Sequence, residues 1–119
     1  MTMISSDEFS RRREEYNRIV MKYANQGTKR FYNLDTAVYR EGVLDAKTKE
    51  LLGLVSSMVL RCDDCVTYHL IRCHDEGVTS EELVDALNVG LVVGGSITIP
   101  HLRRALKQWD ELVEGGEEE

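Results

Sequence analysis

Apolar residues recur at spacings of three and four along most of the chain, which is the period of a helix with one buried face. Few segments alternate between apolar and polar residues as strands do, and a single proline interrupts the chain. The clearest stripe lies in segment 46–60 and consists of Leu51, Leu54, Val55, Met58 and Val59. The pattern therefore predicts an all-α protein.

Capping signals divide the N-terminal half into three predicted helices. Ser5 or Ser6 begins the first, which is expected to end at about Asn25, in the sequence NQG. A shorter helix is expected over 29–39, and it closes at the sequence REG. Asp45 is the predicted N-cap of the third helix, which carries the apolar stripe.

Three further helices are predicted in the C-terminal half. The fourth covers residues 63–76 and ends at Gly77, a residue suited to a left-handed C-terminal cap. Thr79 and Glu82 form the pattern of a capping box at the start of the fifth. Pro100 lies where a first helical turn accepts proline, so it is predicted to open the sixth helix.

A chain of 119 residues with 42% apolar content suits one helical domain, a bundle of about six helices predicted over residues 1–113. The tail 114–119, EGGEEE, has no apolar residue to bury and is predicted to be frayed. A domain this small often gains stability by associating with copies of itself. Segment 84–93 is more apolar than one core-facing stripe requires, so a homo-oligomer is expected.

Charge and hydropathy exclude several classes of partner. Fifteen basic and twenty-one acidic residues give a net charge of −6, which argues against a nucleic-acid-binding module. The basic run 11–13 is followed directly by Glu14 and Glu15, so it is interpreted as a solvated helix face. No apolar stretch approaches the ~20 residues of a membrane span, and the N-terminus has no apolar core of a secretory signal. We therefore expect a cytoplasmic protein without a membrane partner.

Segment 61–77 contains all three cysteines and two of the three histidines. In a reducing compartment such a cluster indicates redox or metal chemistry. Cys62 and Cys65 are three residues apart at a predicted helix start, where their α-carbons can lie near the ~5.5 Å of a disulfide. The helix N-terminus also favours a thiolate. His69 follows Cys65 by one helical turn, so its imidazole is placed to take the thiol proton.

Glu50 is the predicted partner that orients His69. On one straight helix Glu50 and Cys62 would be ~18 Å apart, so no contact is possible. If the chain reverses near Arg61, Glu50 lies eleven residues before the turn and His69 eight residues after it. The remaining offset of ~4.5 Å is within reach of a glutamate side chain or one water. The prediction therefore requires a helical hairpin at residue 61.

The other polar and sulfur-bearing residues of the cluster are given simpler interpretations. Cys73 is expected to be a small buried residue, Tyr68 a core or interface residue, and His74 and His101 surface groups. The spacing C-x2-C-x3-H-x3-C permits a zinc site, but ligands along one side of a helix cannot surround a tetrahedral ion unless the helix unwinds. No metal and no cofactor are expected.

Together, Glu50, Cys62, Cys65 and His69 read E-x11-C-x2-C-x3-H. This pattern resembles the motif of AhpD-like alkylhydroperoxidases in the carboxymuconolactone decarboxylase family. The stretches KTKELLGLVSSMVLRCDDCVTYHL and ALNVGLVVGGSITIPHLRRAL are also similar to that family. The resemblance covers about residues 30–113.

The resemblance implies an all-α fold that forms dimers, trimers or hexamers and catalyses peroxide or disulfide reduction. By position, Cys65 would be the thiolate that attacks peroxide and Cys62 the resolving thiol, with which it forms a disulfide. His69 and Glu50 would form the proton relay. The implied partners are a peroxide or disulfide substrate and a redox protein or dithiol that donates electrons.

Two alternatives come from other classes of protein. The first is a decarboxylase-like lyase acting on a small lactone acid, although the decarboxylase branch of the family lacks the cysteine pair. The second is a non-enzymatic oligomer whose cysteines are structural or bind metal.

Asp63 and Asp64 lie between the two cysteines. They suit a helix N-terminus, but their negative charge disfavours a neighbouring thiolate and is expected to raise the thiol pKa. The couple is therefore predicted to be a reductant more than a strong oxidant.

Overall fold

A computed structural model of the protein describes residues 4–117 and shows an all-α fold, as predicted. Six α-helices follow one another along the described chain: α1 (Ser6–Tyr23), α2 (Gln26–Val38), α3 (Ala46–Val59), α4 (Asp63–Asp75), α5 (Ser80–Gly94) and α6 (Ile99–Glu117). A 3-10 turn, Ser96–Thr98, joins the last two.

The caps that the sequence predicts begin their helices as expected. The Ser5 side chain accepts a hydrogen bond from the Glu8 N–H, and the Asp45 side chain begins α3 in the same way. Thr79 and Glu82 form a complete capping box at α5, with hydrogen bonds of 2.9 and 3.1 Å. Each cap satisfies an N–H group that the first helical turn would otherwise leave without a partner.

Two predicted helix ends differ from the structure. Helix α1 ends at Tyr23, two residues before the predicted end at about Asn25. The Asn25 side chain accepts from the Thr28 N–H at 3.1 Å and so caps α2, which begins at Gln26 and not at residue 29 as predicted. At the other end of the chain, α6 continues to Glu117, past the predicted domain end at residue 113. Residues 118–119 of the predicted tail lie outside the described residues.

The core lies among α3, α4, α5 and α6. Helix α3 packs against both α4 and α5, and α4 packs against α6. Trp109 closes one end, where its indole N–H donates to the Ser80 hydroxyl at 2.9 Å. The buried apolar residues are Leu54, Met58, Val66, Leu70, Cys73, Val78, Leu83, Leu87, Ala105 and Trp109.

The chain reverses between α3 and α4 at Arg61, where the hairpin was predicted. The Arg61 N–H donates to the Met58 carbonyl at 2.9 Å, and the Cys62 N–H donates to the Ser57 carbonyl at 3.0 Å, which is the Schellman arrangement. Arg61 has φ of 61°, in the left-handed region that glycine normally occupies at this position. Cys62 therefore closes one helix with its N–H and opens the next as its N-cap.

Helices α1 and α2 lie outside this core. Phe9 is the only buried residue of α1, and α2 has none. Large apolar side chains on both helices are exposed, including Tyr16, Ile19, Phe31, Leu34 and Val38. Within residues 4–117, no helix is both long enough and apolar enough to cross a membrane.

Candidate active site

Cys62 and Cys65 form a disulfide in the first turn of α4, with their α-carbons 5.3 Å apart. Cys62 is the N-cap residue, and its sulfur accepts a hydrogen bond from the Cys65 N–H at 3.2 Å. Cys65 is exposed, whereas Cys62 is half-buried. The pair therefore lies at the positive end of the helix dipole, with Cys65 the more exposed of the two residues.

His69 lies one turn after Cys65 and contacts Glu50 across the α3–α4 hairpin. The imidazole Nδ1–H donates to the Glu50 Oε1 atom over 2.8 Å. His69 is 7% exposed and Glu50 2% exposed, so the pair is shielded from solvent. The contact requires the reversal at Arg61, as the count of residues along the two helices predicted.

Arg72 holds the other oxygen of Glu50, with Nε at 3.7 Å from Oε2. Burial alone would lower the pKa of Arg72, but the carboxylates of Glu50, Asp75 and Glu76 raise it above its ordinary value. The guanidinium therefore remains charged and balances the buried carboxylate of Glu50. Arg72 follows His69 by three residues, so the helical period places it on the same side of α4, but the sequence analysis did not select it.

Tyr39, the C-cap residue of α2, was also missed. Its hydroxyl lies 3.4 Å from Nε2 of His69, and the two rings are tilted against each other with centroids 5.1 Å apart. Burial, followed by the charges of Asp35 and Glu50, raises the pKa of Tyr39, so its phenol stays neutral. Since Nδ1 of His69 donates to Glu50, Nε2 of a neutral imidazole is left to accept a hydrogen bond from the Tyr39 hydroxyl.

Gly53 on α3 makes room for this arrangement. A Cβ atom at Gly53 would lie 2.7 Å from Cε1 and 2.8 Å from Nε2 of His69, and 2.9 Å from the Tyr39 hydroxyl. A side chain here would be too close to both rings, so the imidazole and the phenol would have to shift. No local sequence signal marks Gly53, because its neighbours in space come from two other helices.

Two clefts border the side of α4 that carries Tyr68. The larger, of about 700 Å³, lies between α1, α2 and α4 and has an aromatic lining with Arg12, Arg13 and Asp64 on it. Arg13 lies over the Tyr68 ring at 4.0 Å, so the basic run is not solely a solvated face. A separate cleft of about 350 Å³ reaches Glu50 and Tyr39.

The remaining predicted residues do not join the site. Cys73 is fully buried, and burial together with Glu50 raises the pKa of its thiol to about 12, against the opposing effect of Arg72. His74 packs edge-on against Trp109, with centroids 5.8 Å apart. Among residues 4–117, no three His, Cys, Asp or Glu side chains are grouped so as to hold a metal ion. Cys73 belongs to the buried core of the helices, as expected.

The part of the chain that contains the Cys62–Cys65 disulfide and the His69–Glu50 pair matches known proteins. The model of the carboxymuconolactone decarboxylase family matches residues 26–108, which include all four motif residues. The chain belongs to this family.

Solved structures of other family members have the same fold. Two crystal structures of one Thermotoga maritima protein are 56% and 57% identical to this chain and superpose with TM-scores of 0.92 and 0.89. They cover 94% and 93% of this chain, which covers 98% and 94% of theirs. A Legionella pneumophila family member, 23% identical, shares the fold with a TM-score of 0.82, over 90% of this chain and 96% of its own.

Two curated relatives are uncharacterized proteins: protein 4 in the cox locus of Paracoccus denitrificans and a Cupriavidus necator protein. Each is 29% identical over 82 residues, which is 69% of this chain and 74% and 73% of theirs respectively.

Proposed function

We propose that the protein reduces peroxides, or disulfides, with Cys62 and Cys65 as its redox couple. The observation that carries this proposal is the disulfide at the N-terminus of α4, one turn before a buried His69–Glu50 pair. A thiol couple, a positive helix end and an oriented base are the components that such chemistry needs. The description of the Thermotoga maritima relative, which assigns it a suggested part in an antioxidative response, supports the same direction.

In the proposed cycle, the Cys65 thiolate attacks the outer peroxide oxygen and breaks the O–O bond. The products are a Cys65 sulfenic acid and, after protonation, an alcohol or water. The Cys62 thiol then attacks this sulfenic sulfur, forming the disulfide and releasing water. Two electrons and two protons from a donor dithiol, or a dithiol protein, restore both thiols.

Exposure supports the division of roles between the two cysteines. Cys65 is the more exposed of the two residues, so we expect an incoming peroxide or donor thiol to reach it first. When a donor thiol attacks Cys65, Cys62 leaves as a thiolate, and the Cys65 N–H that donates to its sulfur stabilises that charge. The same hydrogen bond would also favour a Cys62 thiolate in the reduced protein, and the two cysteine substitutions described below distinguish the assignments.

His69 is proposed as the base that accepts the thiol proton. Glu50 fixes the imidazole with hydrogen on Nδ1, which leaves Nε2 as the basic atom. Nε2 faces the Tyr39 hydroxyl at 3.4 Å, so we propose that Tyr39 helps to carry the proton between the imidazole and the site. The Arg72 guanidinium, with Nε 3.7 Å from Oε2 of Glu50, offsets the charge of this carboxylate while the proton moves.

The lyase alternative has less support, because it makes no use of the disulfide. A single incubation separates the classes: reduced protein is treated with one equivalent of hydrogen peroxide or cumene hydroperoxide, and its thiols are counted. We expect two thiols per chain to be lost and restored by dithiothreitol. Unchanged thiols would overturn the proposal.

Two substitutions test the roles of the cysteines. The Cys62→Ser protein should react with peroxide once and stop at a sulfenic acid, which dimedone traps for mass spectrometry. The Cys65→Ser protein should not form it, and Cys73→Ser serves as the control that leaves the couple intact. Sulfenic acid in Cys65→Ser alone would reverse the two roles without removing the redox function.

We also propose that the protein is a homo-oligomer. Helix α2 buries no residue within its own chain, and Phe31 and Leu34 on it are 67% and 60% exposed. On α5, Val92 and Val93 are 86% and 69% exposed. Exposed apolar area of this extent is typical of a surface that a further chain covers, and a second copy of this small domain supplies matching apolar faces.

A further inference from the structure

A second carboxylate–histidine contact lies beside the cysteine pair, between Asp63 on α4 and His101 on α6. Asp63, the first residue of α4, accepts from Nδ1 of His101 at 2.6 Å and from Nε of Arg104 at 2.9 Å. Both donors come from α6. His101 has a side chain only 16% exposed, so the expectation that it is a surface group was wrong.

The donor and acceptor atoms of Asp63, His101 and Arg104 determine the role of each residue in this contact. Asp63 offers only acceptor oxygens, so the short contact requires hydrogen on Nδ1 of His101. Nη2 of Arg104 also approaches Nδ1, at 3.2 Å, but two donors cannot share a hydrogen bond. Arg104 therefore acts on Asp63 as a permanent positive charge, and His101 acts as a second donor that fixes the carboxylate.

This contact changes the charge next to Cys62. The sequence alone places two uncompensated carboxylates, Asp63 and Asp64, between the cysteines. In the structure Arg104 compensates Asp63, while Asp64 is exposed. Other charged groups near this turn include Arg61, which precedes Cys62, and Arg12 of α1, which shares a cleft of about 310 Å³ with Asp63, Asp64 and Arg104. Arg13 lines the larger cleft together with Asp64.

We propose that Arg104, together with His101, is a positioning residue for the Cys62–Cys65 couple. By compensating the carboxylate beside Cys62, it keeps the thiolate form accessible and the couple more oxidising than the sequence between the cysteines implies. This inference rests on the proposed redox function, since it concerns how the couple is adjusted.

The electrostatic role predicts opposite effects of the two partners. Arg104→Met leaves the charge of Asp63 uncompensated. In the reduced protein, the fraction of the Cys62–Cys65 couple present as thiolate at neutral pH should therefore fall roughly threefold to tenfold. Asp63→Asn removes the negative charge and should raise that fraction. Arg104→Lys should retain most of the wild-type value, because the charge remains.

A purely structural role predicts a different result. If the contact only held α4 to α6, Arg104→Met and Asp63→Asn would shift the thiolate fraction in the same direction. The two helices have a separate buried tie, in which the Thr67 hydroxyl donates to Gln108 at 2.6 Å, so each variant is expected to fold. Thermal unfolding of each variant checks this.

The experiment measures the rate of iodoacetamide alkylation of the reduced protein against pH, and the equilibrium of the couple with glutathione. A tenfold change in that equilibrium corresponds to about 30 mV for a two-electron couple. Lys107→Met, which removes an exposed charge of α6 paired with Glu111, is the matched control and should change neither quantity.

Opposite shifts in Arg104→Met and Asp63→Asn support the inference, whereas equal shifts or none overturn it. Neither measurement uses peroxide turnover. A wild-type protein that forms no disulfide in the glutathione buffers would instead contradict the proposed function itself.

Discussion

Nδ1 of His69 on α4 lies 2.8 Å from Oε1 of Glu50 on α3, and both side chains are almost fully buried. The contact joins residues nineteen positions apart, and it exists because the Schellman turn at Arg61 sets the two helices side by side. In a site of low polarity a carboxylate holds an imidazole in one tautomer and one orientation. The same hairpin brings Cys62 to the start of α4, so one turn positions both the Glu50–His69 pair and the Cys62–Cys65 disulfide.

Removing either member of this pair should slow the reaction of the reduced protein with peroxide. His69→Ala should reduce the rate by the ~10²–10⁴ typical of a lost acid–base group, with both thiols still present. Glu50→Gln keeps an acceptor oxygen for Nδ1 and should have a smaller effect in the same direction. Stopped-flow measurement of the first step gives both rates.

Glu76→Gln is the control for that pair, since Glu76 also binds Arg72, at 3.2 Å, but belongs to the last turn of α4 and its cap. It should leave the rate unchanged. A Glu50→Gln protein as fast as wild type would show that the buried carboxylate has no part in the proton relay.

Gly53→Ala should impair the site without unfolding the protein. The added Cβ atom would lie under 3 Å from His69 and Tyr39, so the imidazole must move. We expect slower peroxide reaction with unchanged helix content by circular dichroism. Gly115→Ala, another helical glycine, meets no atom within 4 Å and should react normally. Equal rates in the two variants would mean that the position of His69 is unimportant.

Cys73 should make the folded protein less stable above pH 9. Its pKa is raised by burial, from 9.0 to about 12, so between these values the unfolded chain loses a proton that the folded chain retains. The free energy of unfolding should therefore be unaffected by this thiol below pH 9 and fall as pH rises, by at most ~1.4 kcal/mol per pH unit.

Urea unfolding of the oxidised protein at pH 8, 9 and 10 measures this dependence, because Cys62 and Cys65 do not titrate in the disulfide. Cys73→Ala provides the reference and should have a flatter pH profile, whatever its own stability. Identical profiles, or rapid alkylation of Cys73 in the native protein at pH 7.5, would contradict the prediction.

The exposed apolar faces predict a concentration-dependent assembly. Multi-angle light scattering at micromolar concentration should give a mass that is a multiple of the 13.6 kDa chain. Leu34→Glu on α2 and Val92→Glu on α5 should each lower that mass, because a buried charge in an apolar interface is costly. Lys107→Glu, at an exposed position of α6, is the control for added negative charge. A monomeric wild-type protein would refute the assembly.

Much of the fold could be predicted from the sequence, because helix caps and periodic apolar stripes act over one or two turns. The caps at Ser5, Asp45 and Thr79 operate within three residues, and each was predicted correctly. The sequence NQG does end α1 as predicted, but the start of α2 was placed three residues too late. Asn25 suits both the end of one helix and the start of the next, and its neighbours alone do not distinguish the two.

The Glu50, Cys62, Cys65 and His69 arrangement was also accessible from the sequence, since it depends on helical spacing and one reversal. Only the tertiary structure decided three other contacts. Tyr39 contacts His69 from 30 positions away, and His101 and Arg104 contact Asp63 from 38 and 41 positions away. Helical periodicity assigns a residue to a face but does not identify the helix that the face meets. The charge environment of the Cys62–Cys65 disulfide therefore depends on how α6 packs against α4.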